Sequence, residues 1–236
     1  MAKRPSSFPH HNQLLATLST NDFDLLDSHL TPLPMKVRHV CEEPNKPIRH
    51  VYFMEEGIAS VVAVTKHDKQ IEIGIIGPEG MTGLAVVMGD DRSPHSTYVQ
   101  AAGAAQRITV PHLRDAMESS DTLQPMLLKF AQTFMTQTAH TAIANGRATL
   151  EERLARWLLM AHDRLEGDQL PLTHEFVSLM LGVRRAGVTT TVHSLECNGL
   201  IKSQRGKISV IDREGLEKVA GSYYGVPEAE WQRLMT

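Results

Sequence analysis

Cysteine and long apolar runs are scarce in this sequence of 236 residues. The two cysteines, Cys41 and Cys197, are far apart, and neither has a second thiol at metal-ligand spacing. This argues against a disulfide scaffold, a zinc ribbon or a four-cysteine iron–sulfur cluster, and makes a reducing cytoplasm the expected location. No apolar run reaches the roughly 20 residues of a membrane span. The N-terminal "MAKRPSSFPHHNQ" has no apolar core, so we expect a polar leader and no membrane contact.

Net charge is small, at −3, so the chain as a whole is not a basic nucleic-acid coat. Positive charge is nevertheless concentrated between residues 182 and 213, where only Glu196 and Asp212 are negative. The basic residues of this segment are Arg184, Arg185, Lys202, Arg205, Lys207 and Arg213. A basic end on a mildly acidic protein fits a module that binds a polyanion, although an ordinary solvated charged face is the alternative.

The first half of the chain predicts two short helices and then strands. Residues 12–30 carry two helical leucine patterns, separated by a Ser-Thr-Asn-Asp stretch that can cap the second helix. From residue 32 to residue 111, short β-branched runs alternate with turn residues, which is typical of an antiparallel sandwich or jelly-roll barrel. Glycines at 74, 77, 80 and 83 permit tight turns or close approach of the backbone to a ligand.

A long helix is predicted from about residue 122 to residue 145, where Asn145-Gly146 ends it. At ~1.5 Å per residue it spans about 30 Å. Its stripe could pack against a second copy of the chain or against its own domain. The residues of the predicted stripe are Leu127, Phe130, Phe134, Thr138 and Thr141. We place the domain boundary at the break, giving domains 1–146 and 147–236, and the next helix starts with a Thr149–Glu152 capping box.

Residues 173–210 predict a helix, a tight turn, a second helix and a basic β-hairpin. Thr173 is a good N-cap, and Gly182 ends the first helix. In the second helix, Val188, Val192 and Leu195 recur at i, i+4 and i+7 and therefore point inward. Together these elements make a winged helix-turn-helix.

The outward face of the second helix follows from this inward stripe. Arginine pairs bidentately with guanine in the major groove, whereas threonine contacts a phosphate, a base or the thymine methyl group. Gly187 and the threonines make a costly helix, which favours a face kept for contacts rather than packing. The predicted DNA-binding residues are Thr173, Arg184, Arg185, Thr189, Thr190, His193, Lys202, Arg205 and Lys207.

With barrel, long helix and winged helix in this order, the chain resembles the Crp/Fnr superfamily of bacterial transcription regulators from about residue 12 to residue 213. The most specific stretch is "RLARWLLMAHDR…LPLTHEFVSLMLGVRRAGVTTTVHSLECNGLIKSQRGKISVID". The resemblance implies an α+β fold, with a cyclic-nucleotide-binding-like β jelly roll, a long dimerisation helix and a C-terminal winged helix-turn-helix. It also implies a non-enzymatic homodimer that binds a palindromic operator in double-stranded DNA, with RNA polymerase as a further partner.

The sensor segment departs from the superfamily members that bind cyclic AMP. Those carry Gly-Glu-Leu and, shortly after, Arg-Ser-Ala, which hold the ribose hydroxyl and the cyclic phosphate. Here Gly83 stands at the glutamate position, and Pro94, which has no N–H, follows Ser93. The signal is therefore left unknown; twelve histidines leave haem open, although no spacing indicates a ligand and no metal site is expected. The effector-pocket residues that the resemblance implies are Gly80, Gly83, Leu84, Arg92, Ser93 and Thr138.

The recognition helix departs from the pattern too. Arg185 matches the first base-contacting position of the best-known members, but Ala186 and Thr190 replace their acidic and second basic residues. The operator should therefore differ from the familiar TGTGA-type half-site, and Arg184, at the N-cap, is expected to contact phosphate.

Two other functions stay open on the residues alone. A cupin-type barrel enzyme would hold a catalytic metal through His-x-His and Glu, which His39, His50, His67 and His95 do not reproduce. A protein-interaction module would use the winged helix to bind a protein partner instead of DNA.

Overall fold

The structure, a computed structural model, describes residues 10–65 and 70–236; most of the predicted leader and His67 lie outside this range. Its N-terminal half is an antiparallel sheet with short helices, followed by one long helix. In chain order these elements are α1 (Gln13–Ala16), α2 (Thr20–Asp27), β1 (Thr31–Met35), β2 (Val40–Glu42), β3 (His50–Val64), β4 (Gln70–Ile76), α3 (Leu84–Val87), β5 (Ser96–Thr109), α4 (Val110–Glu118) and α5 (Leu123–Arg147). The predicted cap is confirmed, because Ser19 Oγ accepts the Asp22 N–H at 3.1 Å.

The N-terminal sheet has the order β1-β5-β3-β4, with β2 pairing to β5, and its ladders are antiparallel. The predicted architecture is confirmed, but four of the predicted short strands merge into the two long strands β3 and β5. The register shifts around Gly57, which has a φ of 82°. A Cβ atom built there would lie 2.4 Å from the Ala101 carbonyl oxygen. Gly57 lies between two of the predicted short strands, residues 48–54 and 58–64. It forms a β-bulge, and the strand continues on both sides of it.

The long helix α5 extends beyond its predicted end. Asn145 and Gly146 are helical, the Ala148 N–H donates to the Ala144 carbonyl at 3.0 Å, and the chain becomes extended only at Ala148. The predicted break at Asn145-Gly146 is therefore wrong. An exposed glycine costs a helix only about 1 kcal/mol, which the rest of α5 tolerates. The junction between the two long helices lies at Ala148 and Thr149.

The C-terminal half contains helices around a small sheet. Its elements are α6 (Leu150–His162), β6 (Gln169–Leu170), α7 (His174–Leu181), α8 (Arg185–Cys197), β7 (Ile201–Gln204), β8 (Lys207–Val210), α9 (Arg213–Ala220) and α10 (Val226–Met235). The capping box of α6 is confirmed in both directions between Thr149 and Glu152. Strand β6, absent from the sequence prediction, pairs with β8 and makes the sheet three-stranded.

Two apolar cores connect the halves. The first fills the N-terminal sheet and helices and includes Trp231 and Met235 of α10. The second lies among α6, α7, α8 and α9 and includes Ile58 and Ile75 of the N-terminal sheet. Residues 226–235, assigned from the sequence to the winged-helix domain, therefore pack on the N-terminal core. Among the described residues, no helix combines the length and apolar character needed to cross a membrane.

Candidate nucleic-acid interface and sensor pocket

The helix-turn-helix is built by local signals at each end of α7. Thr173 Oγ1 accepts the Phe176 N–H at 3.2 Å, which confirms the predicted N-cap. Gly182 ends α7 in a left-handed conformation with a φ of 63°, as predicted. The guanidinium group of Arg153 in α6 donates to the Leu181 carbonyl and satisfies the end of α7. The turn is therefore held by contacts that fix the direction in which α8 leaves it.

Helix α8 separates cleanly into two faces. Val188, Val192 and Leu195 are at most 2% exposed, which confirms the predicted inward stripe. The exposed residues on the other side are Arg184, Arg185, Ala186, Thr189, Thr190 and His193. A Cβ atom on Gly187 would lie 3.3 Å from a methyl carbon of Leu150, so this glycine allows α8 to pack closely on α6. The poor helix propensity at Gly187 thus has a packing cause, contrary to the interpretation from the sequence.

The threonine hydroxyls of α8 are already engaged with the helix itself. Thr189 and Thr190 each donate to the carbonyl four residues earlier, at 3.2 Å. Thr190 therefore presents a methyl group and oxygen lone pairs outward, whereas Thr189 presents its methyl group, because its oxygen is also contacted by a histidine of α7. At the start of the helix, Arg184 is the N-cap and makes no side-chain capping bond. The first backbone N–H groups of α8 are consequently available to an anion.

The basic hairpin is the predicted wing. Strands β7 and β8 pair from Ile201–Val210 to Gln204–Lys207 and leave a two-residue turn whose Gly206 has a φ of 78°. The chain thus places Arg205 at the tip and Lys202 on an exposed strand position. Lys207 is partly buried, and its Nζ donates to Gln169 Oε1 at 3.3 Å, so it is less free than predicted.

Two residues that the sequence prediction missed connect the recognition helix to the wing. The imidazole of His174 lies 3.2 Å from Thr189 Oγ1 and 3.4 Å from Ser203 Oγ. Glu196 Oε1 accepts the Ser203 N–H at 2.9 Å. These bonds fix the spacing between helix and hairpin. Neither residue has a sequence signal for this role, because its partners come from separate elements.

The faces of α5 differ from those predicted. Leu127, Phe130 and Phe134 are 0%, 2% and 8% exposed, so the protein's own core covers them and they are not free to contact a second copy. Thr141 is partly buried and accepts a bond from Arg156 Nη2 at 3.2 Å. The unpartnered side of the helix is an exposed stripe formed by Leu128, Met135, Ala139, Ala142 and Ile143. Its members from Leu128 to Ala142 are separated by seven, four and three residues, which is the spacing of apolar residues in a two-helix coiled coil, and Ile143 lies four residues after Ala139.

A pocket of about 700 Å³ lies between the N-terminal sheet and α5. Of the predicted effector residues, Leu84, Arg92, Ser93 and Thr138 line it. Gly83 and Gly80 do not belong to its lining: the Gly83 N–H donates to Glu42 Oε1 at 2.8 Å, and Gly80 lies against the Phe130 ring. Met135, Ala139 and Ala142 line the pocket as well as the exposed stripe.

The pocket residues do not fit a cyclic nucleotide. Glu42 projects a buried carboxyl group into the pocket; burial raises its pKa, opposed by hydrogen bonds from Gly83 and Thr97. The Arg92 side chain is 57% exposed and faces Asp91, with Nε and Oδ1 3.3 Å apart. Ser93 Oγ accepts the His95 N–H at 3.1 Å. The arginine is therefore largely solvent-exposed beside a carboxylate, and the pocket lining contains the buried carboxyl group of Glu42.

Buried polar contacts connect the N-terminal sheet to α6. Trp157 Nε1 donates to Glu72 Oε1 at 2.6 Å. Burial raises the pKa of Glu72 to about 7, opposed by bonds from Ser60 and Trp157 and by the charges of two arginines. Close by, the buried Arg164 Nε pairs with Glu79 Oε1 at 2.7 Å. These contacts fix the winged helix relative to the N-terminal sheet.

No group of three His, Cys, Asp or Glu residues arranged to hold a metal ion occurs within residues 10–65 and 70–236.

Comparison with known proteins gives one consistent family. Residues 152–219 match the Crp-like helix-turn-helix domain family. Transcriptional regulator SdrP of Thermus thermophilus is 25% identical over 182 residues, which cover 75% of this chain and 86% of that protein. FixK2 of Bradyrhizobium japonicum has a similar structure, with a TM-score of 0.70, 16% identity and coverage of 82% and 98% of the two chains. A Crp/Fnr-family regulator of Eubacterium rectale is similar as well, with a TM-score of 0.68, 19% identity and coverage of 90% of this chain and 98% of that chain. At these identities, the two solved structures establish a shared fold.

Proposed function

We propose that this chain is a Crp-like transcriptional regulator with a helix-turn-helix DNA-binding domain, as its similarity to that family supports, and that it acts as a homodimer on a palindromic operator. In this proposal α8 lies in the major groove and the wing contacts the backbone. Two-fold symmetry places the half-sites roughly 34 Å apart, one turn of the duplex.

The observation that carries the proposal is the division of α8 into a buried stripe and an exposed face. Arg185 is free to pair with a guanine, and the methyl groups of Thr189 and Thr190 suit thymine. Arg184 and the uncapped N-terminus of α8 suit a phosphate. Thr173 and His193 are also exposed, and Lys202, Arg205 and Lys207 add positive charge from the wing.

Dimerisation is proposed through the exposed stripe of α5. Two copies of this stripe would bury Leu128, Met135 and Ile143, which are 40%, 65% and 50% exposed in one copy. Because stripe residues also line the 700 Å³ pocket, the partner helix would cover its mouth. We propose that Leu84, Arg92, Ser93 and Thr138 contact a signal other than a cyclic nucleotide there.

The proposed domain division places the sensor in residues 1–146 and the DNA-binding module in residues 147–236. The bend between the two long helices lies just inside the second domain, at Ala148, and α10 of the second domain packs on the core of the first. The proposed role is non-catalytic, with RNA polymerase as a further partner at the promoter. A stoichiometric transition metal in the purified protein would favour the cupin-type alternative. Retention of a protein partner with loss of binding to all DNA fragments would favour the interaction module.

The experiment is selection of bound duplexes from a random library by the full-length protein, followed by affinity measurement on the selected operator. Arg185→Ala should weaken specific binding by ~1–3 kcal/mol and relax the preference at one base pair in each half-site. Arg49→Ala removes an exposed arginine from the N-terminal domain and serves as the matched control. An unchanged sequence preference in Arg185→Ala would contradict the assigned base contact.

A further inference from the structure

A second cavity, separate from the pocket between sheet and α5, lies where α10 returns to the N-terminal half. We call it the tail cavity. It measures about 280 Å³, close to the lower end of the range for small-molecule sites. Trp231 Nε1 donates to the Glu79 carbonyl at 3.1 Å and fixes α10 as one wall. The family match ends at residue 219, so the segment that closes the cavity lies beyond the matched domain.

One side of the tail cavity is apolar and aromatic. Phe130 and Phe134 of α5, Ile75 of β4, and Pro227 and Trp231 of α10 line it. Such a wall suits a flat ring, which makes large apolar contacts at low entropy cost.

The basic groups of the cavity are already paired. Arg164 Nε faces Glu79 Oε1 at 2.7 Å, and Arg213 Nη2 faces Asp163 Oδ1 at 2.8 Å. Arg213 also donates to the hydroxyl of Tyr224 at 2.7 Å. An anionic ligand would therefore have to displace an existing carboxylate.

By contrast, the lining of the tail cavity contains hydrogen-bond acceptors that are not fully used. Glu228 Oε2 accepts the Gly225 N–H at 3.1 Å, but Glu228 forms no ion pair within 4.0 Å among the described residues. Gln13 Oε1 is buried and has no hydrogen-bond partner. Three carboxylates, Glu79, Asp163 and Glu228, and two arginines line the cavity. Glu228 is the carboxylate that bonds to neither arginine, and the charges of Arg156 and Arg164 act on it only at longer range.

We propose that the tail cavity binds a small aromatic amine, whose ring packs on the phenylalanine and tryptophan wall and whose ammonium group donates to Glu228 and Gln13. Residues of the N-terminal sheet, of α5, and of the α6–α9 corner all contribute to it. A bound amine therefore stabilises the docking of the winged helix on the sensor. The proposal goes beyond DNA binding and depends on neither the operator nor the dimer.

The test is calorimetric titration of the full chain near pH 7.5 with three probes of one shape: phenethylamine, 2-phenylethanol and phenylacetate. A charge-assisted bond is worth about 1.5–3 kcal/mol, so the amine should bind roughly ten-fold or more tightly than the alcohol. Phenylacetate should give no heat of binding, and saturating amine should raise the melting temperature.

Variants assign the binding to this cavity. Glu228→Gln should remove the preference for the amine and leave binding of 2-phenylethanol unchanged. Glu230→Gln, on the same helix but outside the lining, is the matched control and should keep the preference. Ala229→Trp fills the mouth from an exposed position and should abolish binding of both probes. Four results would overturn the proposal. They are equal affinity for amine and alcohol, tighter binding of phenylacetate, absence of binding of all three probes, and binding that survives Ala229→Trp. Failure of the amine to bind would not contradict the proposed DNA binding, which is measured separately.

Discussion

Replacing Glu72 by glutamine should change how the stability of this protein depends on pH. Glu72 is 5% exposed, and burial raises the pKa of its carboxyl group from 4.5 to about 7. Below about pH 4.5 the carboxyl group is protonated in both the folded and the unfolded chain. Between 4.5 and 7 the unfolded chain loses this proton while the folded chain keeps it, so the free energy of unfolding falls as pH rises. Above pH 7 the loss is complete.

The magnitude follows from the same shift. Since one pKa unit corresponds to 1.36 kcal/mol, the rise from 4.5 to about 7 lowers the free energy of unfolding by roughly 3 kcal/mol at pH 8 relative to pH 4.5. Glutamine keeps the oxygen that accepts the Trp157 N–H and removes the titration. The free energy of unfolding of the variant minus that of the wild type should therefore increase by roughly 3 kcal/mol between pH 4.5 and pH 8.

Urea unfolding of both proteins at pH 4.5, 6 and 8 measures this difference, and subtracting wild type from variant cancels the other titrating groups. Glu56→Gln, on an exposed position of β3, is the control for the exchange of a carboxyl group for an amide on the same strand. If the Glu72→Gln difference stayed constant to within about 1 kcal/mol, the burial argument for Glu72 would be refuted.

Three further predictions follow from the faces of α5 and from the wing. Met135→Glu should convert the proposed dimer to a monomer in sedimentation analysis with little loss of thermal stability, because Met135 is 65% exposed. A variant that stays dimeric would contradict the exposed stripe as the interface. Phe134→Ala should lower the free energy of unfolding by about 3–5 kcal/mol and leave the proposed dimer intact, because Phe134 belongs to the core of its own chain. Lys202→Ala and Arg205→Ala should each reduce the slope of log affinity against log salt by about one, measured by fluorescence anisotropy on operator and random duplexes alike.

Local signals carried most of what the sequence predicted correctly. The caps at Ser19, Thr149 and Thr173 form as expected because each uses partners within three residues. The inward stripe of α8 was equally readable, since one helix face determines it. The winged helix is a short unit, so its helices and hairpin could be derived together.

Features decided by distant partners could not be predicted in this way. Gly57 looks like a strand boundary until Ala101 of the neighbouring strand is placed beside it. The apolar positions of α5 include both Phe134 and Met135, and periodicity alone does not say which of the two faces the protein's own sheet. Glu42 enters the sensor pocket from a strand some forty residues before Gly83, a contact that no motif records.

The docking of α10 has a consequence for the order of events during synthesis. Trp231 bonds to Glu79 across 152 positions, and the N-terminal core also contains Met235. A domain made first is normally free to finish folding first, but this core stays incomplete until the winged helix has emerged. Long-range closure of this kind slows folding. The nascent N-terminal half is therefore expected to keep an apolar surface exposed until α10 has been made.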